Sequence, residues 1–273
     1  MDWFTARNVF LLAVVCYGGG MIHSLFLWRR GFLRDARVGY FLLVAAFLLQ
    51  SWAMFLRGIS INACPVNNLF EAMLFVCWGL VVACLALGIS SRLRFIAAFA
   101  SPLLFAMGVF ALMPALDTAP TGAPQFSGWL VSIHAAMILL AYGAFGMAAV
   151  SAIMFLTQDH NLKLKKLSAV LSVMPPIQRL ERVSSGLVVA GFIMLTLGLL
   201  AGAWIPRQEG ISYFGDVKVK WSGLLWFAYL ALIAGRWRFD LAGRHFAYAV
   251  AGVFAFLLLT FWGTNLLSSL HNP

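Results

Sequence analysis

Eight runs of apolar residues, most of them long enough to cross a bilayer as a helix, divide the sequence. A crossing takes about 20 residues, and within lipid a helix satisfies its own backbone hydrogen bonds. The alternation of apolar and polar residues that marks a barrel strand is not seen. The runs therefore predict an all-α fold, a polytopic transmembrane helical bundle of about eight spans. We place the spans near 8–28, 38–56, 68–89, 93–113, 128–156, 184–204, 222–236 and 245–269.

The low charge content supports this fold class. Of the 273 residues, 63% are hydrophobic and only 10% are charged, which is too few charges to cover a soluble surface. The spans use up the length, so we predict a single transmembrane domain over 1–273. The first run is as long as a span and most of the positive charges near it follow it, so we expect a retained helix and no cleaved signal peptide. The expected location is the cell (inner or plasma) membrane, as a multi-pass protein.

The lysines and arginines are distributed unevenly among the connections between spans. Fourteen of the 19 lie in every second connection, and five lie on the other side. Because cytoplasmic loops carry the excess of positive charge, this bias predicts both termini on the extracytoplasmic side. It also explains the net charge of +10 without a nucleic-acid partner. The fourteen are Arg29, Arg30, Arg34, Arg37, Arg92, Arg94, Lys163, Lys165, Lys166, Arg179, Arg182, Arg236, Arg238 and Arg244.

The connections differ in character on the two sides. The outer ones are predicted at 57–67, 114–127 and 205–221. The inner connection 157–183 combines lysines with apolar residues at helical spacing, which predicts a short amphipathic helix on the inner membrane surface. Pro175 and Pro176 would end that helix.

Several kinds of chemistry are excluded by what the sequence lacks. Its four cysteines form no CxxC motif, so neither thioredoxin-like redox chemistry nor a c-type haem attachment site is expected. No nucleophile–base arrangement and no phosphate-binding loop is seen. We therefore expect the chain not to be an enzyme.

Histidines at span ends are the candidate metal ligands. Under the predicted topology, His134 near the start of the fifth span and His271 after the eighth reach the same outer face. Two neutral imidazoles can fill both axial positions of a haem iron. The alternative is two unrelated histidines, one in a helix core and one at a chain terminus. His23 and His245 lie near the inner ends of their spans, where His23 in particular is a candidate for a second site.

Glu71 is an acidic residue about one turn into the third span. Asn68 is positioned to cap this helix, and a carboxylate in the first turn interacts favourably with the helix dipole. The alternative interpretation is contact with a ligand or with an arginine of the outer connections.

Four segments resemble the cytochrome c assembly family, which includes CcsA-type haem-handling proteins and HemX-type membrane proteins. Pro65, Asn68, Leu69, Glu71 and Trp78 match its P-x-x-N-L-Y-E segment and the tryptophan that ends it. The likeness covers about 65–273, with the segments in the family's order. The segments read PVNNLFEAMLFVCW, WLVSIHAAMILLAYGAFGMA, RVSSGLVVAGFIMLTLGLLAGAWIP and FWGTNLLSSLHNP.

The resemblance implies a haem, expected to be of the b type, held between His134 and His271 at the outer face. It places Glu71 near that site and makes Trp78 and Asp216 candidate cofactor contacts. The implied function is binding, storage or transfer of haem in cytochrome c assembly or haem homeostasis.

The tryptophan-rich outer loop of the family is degenerate in this chain. The family pattern reads close to W-G-x-Y-W-x-W-D-P-K-E, whereas the loop here reads EGISYFGDVKVKW. Asp216 and Lys218 match, but Tyr213 and Gly215 stand where tryptophans are expected and Val219 replaces the glutamate. These departures favour a HemX-like or divergent branch over a complete haem ligase.

Two further functions stay open on the sequence alone. One is a HemX-like regulator whose basic inner connections dock a soluble enzyme of tetrapyrrole synthesis. The other is a transmembrane conduit for haem or electrons, which would use His23 on the inner side. Expected partners are haem, membrane lipid and either a cytochrome c assembly subunit or that soluble enzyme.

Overall fold

The described part of the chain folds entirely into helices and turns. The computed structural model describes residues 5–29, 37–61, 66, 68–90, 93–117, 128–164, 175–205 and 215–268. A short 3₁₀ turn, Pro114–Leu116, follows the fourth helix. The helices of these residues are α1 (Ala6–Arg29), α2 (Arg37–Ile61), α3 (Leu69–Gly88), α4 (Ile96–Ala111), α5 (Trp129–Leu164), α6 (Ile177–Ala203), α7 (Val217–Arg238) and α8 (Gly243–Leu267).

These helices confirm the predicted membrane bundle. Seven are long and apolar enough to cross a membrane. The remaining one, α4, has 16 residues and therefore extends about 24 Å. Large apolar side chains stay exposed along the bundle, Leu259 at 82% and Phe41 at 67%, as expected where lipid is the solvent. The chain is a multi-pass membrane protein.

Several helices extend beyond the predicted spans because their polar ends continue the helix outside the apolar run. Helix α5 reaches Leu164, and an ion pair of 2.6 Å between Lys163 and Asp159 links two successive turns near its end. Helix α6 begins at Ile177 and α7 at Val217. The predicted amphipathic helix depends mainly on residues of 165–174, which lie outside the described residues, so it stays a prediction. On either side of them, 157–164 belongs to α5 and 177–183 to α6.

The central helix of the bundle is α5, which packs against α3, α6 and α8. Its crossing with α3 takes place at a pair of glycines. A Cβ atom added to Gly143 would lie 2.7 Å from the carbonyl carbon of Gly79, so position 143 has no room for a side chain. Small residues of this kind let two helix backbones approach closely in a membrane. The other helices α1, α2 and α4 pack around one another and around α3.

A chain of neutral hydrogen bonds joins the first three helices in their middle. The Tyr17 hydroxyl donates to the Gln50 side-chain oxygen, and Gln50 Nε2 donates to the Leu74 carbonyl oxygen over 2.7 Å. Both side chains are completely buried. Since an unpaired polar group is costly in an apolar interior, these hydrogen bonds fix the relative positions of α1, α2 and α3.

The two ends of the bundle differ in their charged residues. The end where α3, α5 and α7 begin is here called the histidine end. It contains His134 and the acidic residues Glu71, Asp117 and Asp216. The opposite end, called the basic end, contains Arg94, Lys163, Arg179, Arg182, Arg236, Arg238 and Arg244. Because successive helices run in opposite directions, α4, α6 and α8 end at the histidine end.

Candidate functional site

His134 lies on the second turn of α5, with its ring against α6. Its Nδ1 atom is 2.7 Å from the carbonyl oxygen of Gly198. A Cβ atom on Gly202 would lie 2.5 Å from Nδ1 and 2.6 Å from Cε1 of the ring. The imidazole therefore occupies a space that exists only because position 202 is glycine.

The hydrogen bond to Gly198 fixes which nitrogen of His134 carries the proton. A carbonyl oxygen can only accept, so Nδ1 must be the donor. In a neutral imidazole the lone pair then lies on Nε2, which makes no hydrogen bond in the described part of the chain. A backbone carbonyl that receives Nδ1–H is the usual arrangement behind a histidine that binds a metal through Nε2.

Asp216 caps the start of α7 and holds the end of α8. Its side chain accepts hydrogen bonds from the backbone nitrogens of Lys218 (2.8 Å) and Val219 (3.2 Å), which lack partners within the helix. The Ser268 hydroxyl lies 2.8 Å from Asp216 Oδ2. Asp216 is only 5% exposed and Ser268 2%. The buried carboxylate thus fastens the last described turn of α8 to the first turn of α7.

Lys218 and three aromatic rings lie between α5, α7 and α8. The Lys218 ammonium is 5.9 Å from the centre of the Phe261 ring. Phe261 is in edge contact with Tyr142 at 5.7 Å, and Trp221 is 6.1 Å from Tyr142. These rings form an apolar layer on the membrane side of Lys218.

The helix geometry brings the end of α8 to the level of His134. Phe261 contacts Tyr142, and Phe254 lies next to Gly146, so α5 and α8 are antiparallel neighbours. At 1.5 Å per residue, His134 lies about 12 Å beyond Tyr142 and Ser268 about 10 Å beyond Phe261. His271, the other predicted ligand, is three positions after Ser268 and lies outside the described residues.

Glu71 belongs to a cluster of charges at the same end. Asn68 accepts a hydrogen bond from its backbone nitrogen at 2.8 Å, so the predicted helix cap is present. The buried carboxylate, 1% exposed, lies 2.6 Å from Arg57 Nε. Arg57 also contacts Asp117 at 2.8 Å, and Arg7 is 3.6 Å from Asp117. The arginine is part of α2, not of an outer connection, because α2 continues to Ile61.

Trp78 points away from His134. Its indole nitrogen donates to Ser51 Oγ over 2.9 Å, and its ring is 5.8 Å from Phe47, so it lies between α3 and α2. The neighbouring Gly79 marks the crossing with α5 at Gly143, about 13 Å along α5 from His134. The structure therefore does not bring Trp78 and His134 together. Direct contact of Trp78, Asp216 or Glu71 with a cofactor stays a prediction.

The predicted second site, His23, lies at the basic end beside α4. Its Nε2 atom is buried and has no hydrogen-bond partner in the described residues. The adjoining cavity, lined by Gly20, Ser24 and Arg94 among others, has a volume of about 10 Å³. That is room for roughly one water molecule, so this arrangement does not fit a haem. His245 is exposed at the start of α8.

The residues that sequence reasoning missed are Gly198, Gly202 and Ser268. The two glycines are four positions apart in the segment GLLAG, which is the small-x-x-x-small pattern of close helix packing. That pattern could have identified the face of α6 that packs against His134. Nothing in the sequence indicates the contact between Ser268 and Asp216, since it joins positions far apart in the chain.

Comparisons with known proteins place these residues in a family. The family model for cytochrome C assembly protein matches residues 66–271. The cytochrome c biogenesis protein CcsA of Synechococcus sp. (strain RCC307) is 28% identical over 265 residues, covering 87% of this chain and 85% of that protein. CcsA of Prochlorococcus marinus (strain MIT 9303) is 29% identical over 264 residues, covering 85% and 82%. CcsA of Guillardia theta is 25% identical over 256 residues, covering 86% and 85%.

Proposed function

Because this chain belongs to the cytochrome c assembly protein family, we propose that it binds haem at the histidine end, with His134 and His271 as axial ligands. The haem is the cargo of the protein, held where α5, α7 and α8 meet at the histidine end. When bound, it supplies the iron porphyrin that an apocytochrome c receives.

The observation that carries the proposal is the hydrogen bonding of the two ring nitrogens of His134. Its Nδ1–H is held by the Gly198 carbonyl, and its Nε2 lone pair is left for a ligand. Gly202 leaves room for the ring and the Gly198 bond holds it, so little conformational freedom is lost when iron binds. An isolated histidine in a helix core would need a partner for Nε2 as well.

The surrounding residues fit a haem in polarity. Tyr142, Trp221 and Phe261 offer an apolar layer to the macrocycle. Lys218, 5.9 Å from the centre of the Phe261 ring, supplies a positive charge beside this layer, which suits the propionate groups. The bond between Ser268 and Asp216 holds the segment that leads to His271 at the level of His134. This arrangement supports His271 as the second ligand.

With both axial positions filled, iron has no open site for substrate chemistry, so we propose that the protein holds and passes on haem without changing it. The chain has no CxxC motif for covalent attachment, and we therefore propose a non-covalent b-type haem. Transfer to an apocytochrome then requires a partner subunit, because the tryptophan-rich loop is degenerate in this chain.

The test is an absorption spectrum of the detergent-purified protein, oxidised and then reduced. We expect sharp low-spin α and β bands in the wild type, lost or shifted in His134→Ala and in His271→Ala. His245→Ala is the matched control, because His245 is exposed at the basic end and its loss should leave the bands unchanged. An unaltered spectrum in the double variant His134→Ala/His271→Ala contradicts the ligand assignment. A wild type that takes up no added haem contradicts the proposed function and leaves the HemX-like regulator to be tested.

A further inference from the structure

A cleft opens between α6 and α7 at the basic end, far from His134. Nearer the middle of the bundle the two helices are joined, since Trp226 Nε1 donates to Thr196 Oγ1 over 3.0 Å. Towards the basic end they enclose a cavity of about 510 Å³, bordered by Gly186 and Val189 on α6 and by Trp237 on α7. That volume is within the range of sites for small organic ligands.

The wall of the cleft contains an ion pair whose charges cancel. Arg236 bonds to Glu181 through Nη1, and the backbone nitrogen of Gly243 donates to the same carboxylate over 2.9 Å. The remaining hydrogen bond of Arg236, to the Leu241 carbonyl, also uses Nη1, and its guanidinium carbon lies 5.2 Å from the centre of the Phe246 ring. A guanidinium has five N–H donors. The Nε and Nη2 donors of Arg236 therefore have no hydrogen-bond acceptor within the described ranges.

Three polar side chains on α6 line the same cleft. Gln178, Arg182 and Ser185 are spaced by four and three residues, so they share one face of the helix. None of the three makes a hydrogen bond or ion pair with another described residue, although each carries donors. With Glu181 neutralised by Arg236, Arg182 leaves the cleft with a net positive charge.

The apolar residues of the cleft lie deeper in the membrane than its donors. Val189 is one turn beyond Ser185 on α6, and Ile193 and Leu197 continue on that side with exposures of 52% and 49%. Trp237, 72% exposed, lies at the level of the arginines, the position that tryptophan prefers at a membrane interface. Polar donors at the membrane surface thus pass into an apolar strip that leads towards the bilayer centre.

We propose that this cleft binds an anionic phospholipid of the surrounding membrane. The phosphodiester accepts hydrogen bonds from Arg182 and Arg236, and the headgroup hydroxyls meet Gln178 and Ser185. One acyl chain lies along Val189, Ile193 and Leu197. A water-soluble anion would use the arginines but would leave the apolar strip empty, which is why the lipid is the better occupant.

The experiment is native mass spectrometry of the detergent-purified full chain, incubated with phosphatidylglycerol or phosphatidylcholine of the same acyl chains. We expect the wild type to retain phosphatidylglycerol in preference to phosphatidylcholine. Arg182→Gln should reduce phosphatidylglycerol retention about fivefold, because one basic residue near a membrane surface contributes about that factor. Arg244→Gln is the control, since it removes the same charge from an exposed position at the same end but outside the cleft.

A second variant tests the shape of the cleft without changing its charge. A Cβ atom on Gly186 meets nothing within 4 Å, so Gly186→Leu fits the fold and fills the cavity. We expect this variant to lose the preference for phosphatidylglycerol. Equal retention of both lipids by the wild type, or equal loss in Arg182→Gln and Arg244→Gln, would overturn the proposal. Displacement of the lipid by millimolar inorganic phosphate would also overturn it, in favour of a soluble anion.

Discussion

At the scale of single residues, the carbonyl oxygen of Gly198 determines the chemistry available to His134. It holds the proton on Nδ1 and so directs the lone pair of Nε2 away from α6. The sequence alone predicted the histidine as a ligand but not its tautomer, because the tautomer depends on a contact between two helices. The same limit applies to Glu71. The cap by Asn68 involves neighbouring residues and was predictable from the sequence, whereas the ion pair with Arg57 joins two helices and was not.

Gly202→Ala tests whether the position of the His134 ring matters for the ligand. The new methyl group would lie 2.5 Å from Nδ1, so the ring must move and its bond to Gly198 must weaken. Loss of such a supporting contact typically lowers metal affinity about tenfold or more. We therefore expect haem retention after gel filtration to fall by that factor, with Gly252→Ala, where the added atom meets nothing within 4 Å, retaining haem like the wild type. Full retention in Gly202→Ala would show that the ring position is unimportant.

At the scale of helices, hydropathy predicted a helix in each apolar run, seven of which are long enough to cross a membrane in the described residues, but not where each helix ends. An apolar run ends where lipid ends, whereas a helix continues as long as its backbone hydrogen bonds can form. Lys163 and Asp159 extend α5 by pairing one turn apart, and Asp216 starts α7 by capping it. Charged residues of this kind were interpreted as connections, which is why 157–164 and 217–221 were assigned to loops.

The link between α7 and α8 is tested by Ser268→Ala. The variant removes the hydroxyl that donates to the buried Asp216 carboxylate, a charge-assisted bond that contributes about 1.5–3 kcal/mol. The end of α8 should then separate more readily from α7. We expect bound haem to dissociate at least tenfold faster, measured by transfer to a haem-scavenging protein.

The matched control for that measurement is Thr264→Ala, one turn earlier on α8. Its hydroxyl bonds only within its own helix, to Thr260 and Phe261. Its haem should dissociate at the wild-type rate. An unchanged rate in Ser268→Ala would mean that the Asp216 bond stabilises the helix ends but does not position the ligand.

At the scale of the whole molecule, the two ends differ in how many of their arginines are paired. At the histidine end Arg7 and Arg57 are paired with Asp117 and Glu71. At the basic end, Arg182, Arg238 and Arg244 make no ion pair with a described residue. An excess of lysines and arginines in the connections on one side is the signal that orients a membrane protein during insertion, so we expect the basic end to face the cytoplasm.

This orientation is tested by cysteine labelling of intact cells in a variant that lacks the native cysteines. Lys220→Cys reports on the histidine end and Lys163→Cys on the basic end, and both positions are exposed. A membrane-impermeant maleimide should label Lys220→Cys in intact cells, and Lys163→Cys only after the cells are opened. The reverse pattern would place the proposed haem site on the cytoplasmic side.

The shortness of α4 affects the bilayer around the protein. The helix is about 6 Å shorter than a typical hydrocarbon core, and Val109 and Met113 near its end are 46% and 48% exposed. Hydrophobic mismatch of this size is relieved when the lipid leaflet thins against the short helix, at a fraction of a kcal/mol per ångström. We therefore expect the bilayer to be thinner beside α4 than beside the long α5 and α6, and the protein to be best matched to membranes whose lipids tolerate that gradient.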